Sequence, residues 1–431
     1  APRSDFGTLG TRGAEAAGDR VVVVKTLDIS RLGEALRGVP AVPRVVVTGN
    51  FGTPWTLLRA IDATLPTFRL YAINAQPGIP DREGVTPETS FVGAGMRKNP
   101  RLRYYPSRLS LVPRLFASTL PPDVVVLHTT TPRDGTVSLG VEVNILPAAL
   151  EAARARGGRV IVQMNPQMPY TFGDAVLKLE DVDYGVEVDE PLTAHPPGAL
   201  DDASSAIGTS VAARVQDGAT LQLGIGAVPD AVLHGLTERR GLKIWSEMFS
   251  DGALALERRG CMDPDSPLTA SFLFGSLELY RWVDRNPRVL LLRSETTNEP
   301  ALIAGRPLMT SVNTALQVDL FAQANASRIK ARIHSGFGGQ TDFIVGALHS
   351  PGGQALMALR SWHPKANVST IIPLVDEPVT SFQPTAVVTE QGVAQIYGLD
   401  EKTQAANLIT QAAHPRIRDE LWEEAAELGL T

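Results

Sequence analysis

Two segments in the second half of the chain hold residue types that can do chemistry together. In Lys243-Ile-Trp-Ser-Glu-Met-Phe-Ser-Asp-Gly252 a short apolar run ends at Glu247 and a Ser-Asp-Gly helix start follows. A carboxylate at such a hinge is a nucleophile candidate. About twenty residues upstream, Thr220-Leu-Gln-Leu-Gly-Ile-Gly-Ala-Val-Pro229 reads as a strand running into a glycine turn, with Pro229 and Asp230 opening a helix. Backbone N–H groups across Gly224, Ile225, Gly226, Ala227 and Val228 can cradle a phosphate or an oxyanion, because glycine lets the main chain approach a ligand at a helix N-terminus. An acidic residue about twenty positions after such a turn also suits a dinucleotide site, with Glu247 on a ribose. Pro229 stands where that fingerprint has its third glycine, which weakens the nicotinamide reading. On this segment alone, Glu247 is open between helix cap, ribose ligand and nucleophile.

Further along, Ser335-Gly-Phe-Gly-Gly-Gln-Thr-Asp342 crowds Gly336, Gly338 and Gly339 ahead of the apolar run Phe343-Ile-Val345. Glycine loses much conformational freedom on folding, and close approach of backbone to a ligand is one reason to keep it. A plain surface turn is the alternative. Asn313, in Thr310-Ser-Val-Asn-Thr314, and Glu390, ending Ala386-Val-Val-Thr-Glu390, are polar groups beside apolar runs, and either suits a simple cap. His128 ends a strand and is the best isolated acid–base candidate, but no second histidine or acid stands at metal-ligand spacing. A packed, hydrogen-bonded ring is its expected fate, and no metal is expected. Cys261 follows Arg258-Arg259-Gly260 without a histidine pairing signature and reads as an ordinary thiol. Gly352-Gly353, ahead of Ala355-Leu-Met-Ala-Leu359, reads as a hairpin turn.

The elements that must position these residues are short β-branched runs alternating with helical patterns, which is how parallel α/β units read. Strands are expected at Arg44 to Thr48, Phe68 to Ile73, Val124 to Leu127, Arg159 to Gln163 and Thr220 to Leu223. The clearest helix is Leu146 to Arg156, with Pro147 in its first turn and Gly157 as its stop, and Asp202 is expected to cap a helix running to about Gln216. The proline-rich, aperiodic stretch Val188 to Gly198 suits a connector, giving lobes at 1–190 and 199–431. Thr48-Gly-Asn-Phe-Gly-Thr-Pro54 and Leu223-Gly-Ile-Gly-Ala-Val-Pro229 echo one another as strand, glycine turn and helix, which raises an internal duplication. Any two such turns look alike, so the echo alone leaves it open.

At 431 residues the chain is long enough for two domains, and 43% hydrophobic with 20% charged residues is an ordinary globular composition. A net charge of -6 without a basic run argues against nucleic acid. The longest apolar runs, such as Val21 to Val24 and Val124 to Leu127, are strand-sized, so no membrane span is expected. One cysteine excludes an internal disulfide framework and fits a reducing cytoplasm. The start at Ala1 shows no apolar signal core and reads as processed or trimmed.

Taken in order, Val162-Gln-Met-Asn-Pro-Gln-Met-Pro169, Gly224 to Val232, Ser246 to Gly252, Gly336-Phe-Gly-Gly-Gln-Thr-Asp-Phe343 and Val387-Val-Thr-Glu-Gln-Gly-Val-Ala394 make the chain resemble the acetyl-CoA hydrolase/transferase family across most of its length. That family includes 4-hydroxybutyrate and butyryl-CoA:acetate CoA-transferases. The resemblance implies two related open α/β lobes with the active site in the crevice between them. It also implies a glutamate, matching Glu247, that forms a thioester with CoA. The turn matching Gly224 to Val228 would bind CoA and help hold the reacting oxygen, and Gly336, Gly338 and Gly339 would complete the oxyanion environment. Asn313 and Glu390 match polar positions near the family's site. The expected activity is transfer of CoA from a short-chain acyl-CoA to acetate or a similar carboxylate, with acyl-CoA hydrolysis by the same glutamate as the alternative. Coenzyme A enters as substrate, no cofactor is permanently bound, and a homodimer or larger homo-oligomer is implied. Remote alternatives are a nicotinamide oxidoreductase and a CoA-binding protein without catalysis. One departure stands out: where the family carries Leu-Arg-Gly after Val393-Ala394, this chain has Gln395-Ile-Tyr-Gly398. A glutamate titrates at about 4.3 in water, so Glu247 is expected to be ionised at neutral pH without a base.

Overall fold

Valine-rich strands buried on both faces form only where helices cover both sides of a sheet. The chain shows this at its first central strand, where Val45, Val46 and Val47 are at most 1% exposed. The structure, a computed structural model, describes residues 24–431. The run Val21 to Val24 therefore lies outside the described residues except for its last member.

The N-terminal sheet contains β1 (Lys25–Thr26), β2 (Arg44–Val47), β3 (Phe68–Tyr71), β4 (Val85–Thr89), β5 (Arg103–Tyr104), β6 (Val124–Thr129), β7 (Arg159–Met164) and β8 (Tyr184–Glu187). Its spatial order is β1-β8-β7-β6-β2-β3-β4-β5, parallel throughout. The C-terminal sheet contains β9 (Thr220–Leu223), β10 (Lys243–Trp245), β11 (Leu268–Ala270), β12 (Val289–Leu291), β13 (Thr310–Asn313), β14 (Gln354–Ala358), β15 (Ala386–Thr389) and β16 (Gly392–Gln395). Its order is β16-β15-β14-β13-β9-β10-β11-β12, with β16 alone antiparallel. The two orders match over seven strands: β2 to β8 and β9 to β15 each start in the middle, lay three strands to one side, then return across the first strand to lay three on the other. The edge beyond is taken by β1, the first described strand, in one sheet and by the antiparallel β16 in the other. The duplication raised by the two glycine turns is therefore written into the topology. In such sheets the crevice where the order reverses is the expected ligand site; here those crevices lie between β2 and β6 and between β9 and β13.

The lobes interlock. Phe172–Gly173, from the N-terminal half, pairs in parallel with β12 at the edge of the C-terminal sheet. Residues 188–200 carry no regular structure. Local expectations hold where capping chemistry is strong. The helix after β6 spans Leu146–Arg154 with Pro147 in its first turn, and Gly157 takes φ +71 just beyond it. Two expectations need correction. The helix Asp202–Ala212 is capped by Asp201, whose carboxylate accepts from the Ser204 N–H, and it ends before Gln216. Gly352-Gly353 is no hairpin: it joins the helix Gln340–His349 to β14, and β14 runs parallel to β13. No helix among the described residues is long and apolar enough to cross a membrane.

Candidate active site

Glu247 follows β10, and its main-chain carbonyl is held by three donors. Its carbonyl accepts from the N–H groups of Ser271 (2.9 Å) and Phe272 (3.2 Å) and from the Ser271 hydroxyl (2.9 Å). One residue earlier, Ser246 donates to the Leu223 carbonyl (3.2 Å), which fastens this hinge to the end of β9. Two residues earlier, the Trp245 indole N–H donates to the Thr297 carbonyl (2.9 Å). That bond brings in Asn298, whose Nδ2 donates to Glu247 Oε2 at 2.8 Å. The other end of the amide is occupied too: its Oδ1 accepts from the Thr297 hydroxyl at 2.7 Å. Asn298 is fully buried, and its pre-set amide gives the carboxylate one orientation.

Desolvation pushes the Glu247 carboxyl up to about 7; the nearby charge of Asp342 adds to the rise and the Asn298 hydrogen bond opposes it. The expectation of a fully ionised glutamate at neutral pH is thus corrected. The cost of taking the carboxylate out of water exceeds what one neutral amide returns.

The second glycine loop explains itself against this side chain. A Cβ on Gly339 would lie 2.1 Å from Glu247 Oε2 and 2.2 Å from Asn298 Nδ2. Gly338 sits at φ +54, and a Cβ on Gly336 would strike the Ser90 carbonyl at 2.5 Å. The loop is thus a joint between lobes, not a surface turn. Its Ser335 carbonyl accepts from the Val92 N–H (2.7 Å) and its Gly338 carbonyl from the Leu109 N–H (2.9 Å). Just beyond, the buried Asp342 in the helix's first turn accepts from Arg108 Nη1 (3.2 Å) and the Ser110 hydroxyl (2.7 Å), a tie back to the N-terminal lobe.

A cleft of about 270 Å³ gathers the expected residues: Gly224, Ile225, Val228, Glu247, Asn313, Gly336, Gly338 and Gly339 all line it. Gly226 and Ala227 complete the turn and face a neighbouring cavity of about 280 Å³ with His195, Asp230 and Phe274. Gly226 takes φ +115, a conformation glycine tolerates, and opens the helix Ala227–Gly235. Neither Gly224 nor Gly226 has anything within 4 Å of where a Cβ would stand. Asn313 ends β13 and belongs to a polar cluster, donating to Ser311 (2.8 Å) and Gln222 (3.2 Å). Glu390 lies outside this lining and accepts from the Ser361 N–H at 2.9 Å and from its hydroxyl. Those bonds outweigh desolvation and hold its carboxyl below the usual value.

His128 is a packed ring, as expected. It bonds the Gly52 carbonyl through Nδ1 (3.1 Å) and faces the Gln163 and Asn165 amides through Nε2, and burial lowers it to about 4. Cys261 is a buried free thiol facing the Thr237 carbonyl (3.3 Å). Tyr397, where the family pattern has its arginine, is 61% exposed and outside the cleft lining. Sequence reasoning missed Asn298, the Arg108–Asp342 tie and a second buried acid, Glu142. Asn298 ends a short Ser-Glu-Thr-Thr helix, and no periodic signal joins it to Glu247. Asp342 lay in a noticed motif, but its partner stands in the other lobe.

An open, doubly repeated α/β scaffold, with a constrained glutamate facing two glycine turns, matches one class of enzyme. Residues 85–195 match the acetyl-CoA hydrolase/transferase N-terminal domain and residues 275–425 its C-terminal domain, and the chain belongs to that family. The 4-hydroxybutyrate coenzyme A transferase of Clostridium kluyveri is 39% identical over 349 residues, covering 78% of this chain and 80% of that one. Among solved structures, the 4-hydroxybutyrate CoA-transferase of Porphyromonas gingivalis superposes with a TM-score of 0.78 at 30% identity, covering 93% of this chain and 96% of that one. RipA from Yersinia pestis superposes at 0.85 with 28% identity, covering 94% and 100%.

Proposed function

We propose that the protein is an acyl-CoA:carboxylate CoA-transferase working by ping-pong through a covalent thioester between Glu247 and CoA. The observation that carries this reading is the carboxylate itself: it is oriented by Asn298, it borders an open cleft, and Gly339 is bare at the point where any side chain would collide with it.

In the first step a Glu247 oxygen attacks the thioester carbonyl, and the C–S bond breaks to give an acyl-glutamyl anhydride and CoA thiolate. The thiolate attacks the glutamyl carbonyl, releasing the first carboxylate and leaving glutamyl-CoA. An acceptor carboxylate attacks that thioester, and the returned thiolate takes the new acyl group to leave Glu247 free. Each addition places negative charge on a carbonyl oxygen. Backbone N–H groups of the two glycine turns are the donors available to it. The Gly224 to Val228 turn, free of covering side chains, is assigned to CoA, whose remote contacts can hold the thioester against Glu247. The acceptor is a small carboxylate such as acetate, and the protein acts as a homo-oligomer in the cytoplasm.

Only the carboxylate is nucleophilic, so with its proton leaving at about 7 the rate of adduct formation should rise tenfold per pH unit well below that value and level off above about pH 8. Intact-protein mass spectrometry after incubation with acyl-CoA tests the reading. A CoA-sized adduct that maps to Glu247 and is discharged by acetate supports transfer. Discharge by water at the same rate without acetate would assign hydrolysis, and absence of an adduct across a broad acyl-CoA panel would remove the mechanism.

A further inference from the structure

Behind Glu247, at the junction of the lobes, lies a second carboxyl that no step above uses. Glu142 is 1% exposed. Its Oε1 accepts from two amides, Asn50 Nδ2 at 2.8 Å and Asn144 Nδ2 at 2.7 Å, while its Oε2 is buried without a partner. Asn50 is itself held by Asn74, which donates to Asn50 Oδ1 at 2.6 Å. All three asparagines are in left-handed backbone conformations, at φ 44, 48 and 20. Such conformations persist only where the surroundings over-determine them, and they cluster at functional sites. The two amides favour the ionised form, but the carboxyl is buried without a cation beside it and one of its oxygens meets no donor, and this uncompensated burial favours the protonated form.

The cluster reaches Glu247 through one strand of backbone. Val143 and Asn144 N–H groups donate to the Ser271 carbonyl (2.9 and 3.1 Å), and Ser271 donates in turn to the Glu247 carbonyl. Glu142 bridges Phe272, whose neighbouring chain is Met248. Among the described residues no lysine, arginine or histidine pairs with Glu142. The ionisable groups near it are Glu247 and Tyr280, and Asp251 also lies near Tyr280.

We propose that Glu142 is a positioning residue of the active site, a buried carboxylic acid that retains its proton so that Glu247 carries the negative charge at the lobe junction. The inference rests on Glu247 being the nucleophile. Two carboxyls in one low-dielectric junction cannot both ionise freely, and they titrate as a pair. Burial raises Glu142 to about 7 against the opposing Asn50 and Asn144 amides, and the charge of Glu247 adds to the rise.

The direction of the stability effect follows. Between the ordinary value of 4.5 and about 7 the folded protein binds more protons than the unfolded chain, so stability falls as pH rises through that window. Glu142→Gln keeps the shape, the acceptor and a donor at the Oε2 position but has no charge to acquire. In that variant the fall of Tm between pH 5 and 8 should be clearly shallower than in the parent. Adduct formation at Glu247 should meanwhile keep the parental acid limb, because glutamine replaces a group that was already neutral. Glu142→Asp, which restores an ionisable group, should return the steeper Tm profile. A parental Tm profile in Glu142→Gln overturns the proposal, as does an acid limb displaced to lower pH or loss of adduct formation at every pH, since either would mean that Glu142 acts ionised. If the parent itself forms no adduct, the transferase reading fails, while the Tm profiles still report the proton on Glu142.

Discussion

The two glycine turns occupy the same place in the two sheets and have opposite surroundings. In the N-terminal turn, Asn50 is 2% and Phe51 7% exposed, and a Cβ on Gly49 would meet the Ile73 carbonyl at 2.0 Å. Phe51 is covered by His195 of the connector and Phe274 of the other lobe, at ring distances of 4.9 and 4.4 Å. In the C-terminal turn, Ile225 is 43% exposed and the glycines face open space. One crevice of a repeated fold is filled by its own polypeptide and holds the lobes together, while the other is left open. Similar glycine turns therefore end in close packing in one lobe and in exposed backbone in the other.

The sharpest test of this division is chemical. Glu247→Ala should slow acyl exchange by roughly a thousandfold or more while CoA binding persists, as read by exchange kinetics and calorimetric titration; comparable exchange in the variant would dissolve the contrast. Next, Gly49→Ala should lower stability by more than about 3 kcal/mol because its Cβ meets backbone, whereas Gly224→Ala should stay within about 0.5 kcal/mol and raise KM for acyl-CoA. Equal Tm losses would show that the two turns are packed alike. Gly339→Ala should cost about a hundredfold in kcat through displacement of the Glu247 carboxylate. The smallest change is expected for Asn298→Ala, about tenfold in kcat/KM, with the acid limb moved to higher pH because the bond that favours the carboxylate is gone.

The sequence placed residues together correctly where the signal was local. Glycine turns, a hinge carboxylate and β-branched runs announce themselves within ten residues, and the cleft brings together Glu247, Asn313 and residues of the Gly224 turn and the Gly336 loop. Capping was legible only to within one residue, since Asp201 and Asp202 are chemically alike and only backbone geometry selects the first. Asn298, Glu142 and Arg108 were not legible because their meaning comes from partners in distant segments. Glu142 looks like one more acid in a Val-Glu-Val-Asn run until Asn50, far up the chain, is seen to donate to it. The raised carboxyl of Glu247 was hidden for the same reason: burial belongs to the packed whole.

The small strand Phe172–Gly173 bears on how the molecule is made. It leaves the ribosome well before Val289–Leu291, the strand it will border, has been synthesised. The second sheet therefore receives its outermost strand from a half that is already present, and without it Val289–Leu291 would be left as a bare, adhesive edge. Cutting the gene at the connector and producing the halves separately should yield a C-terminal fragment prone to self-association, rescued when the N-terminal fragment is supplied during translation.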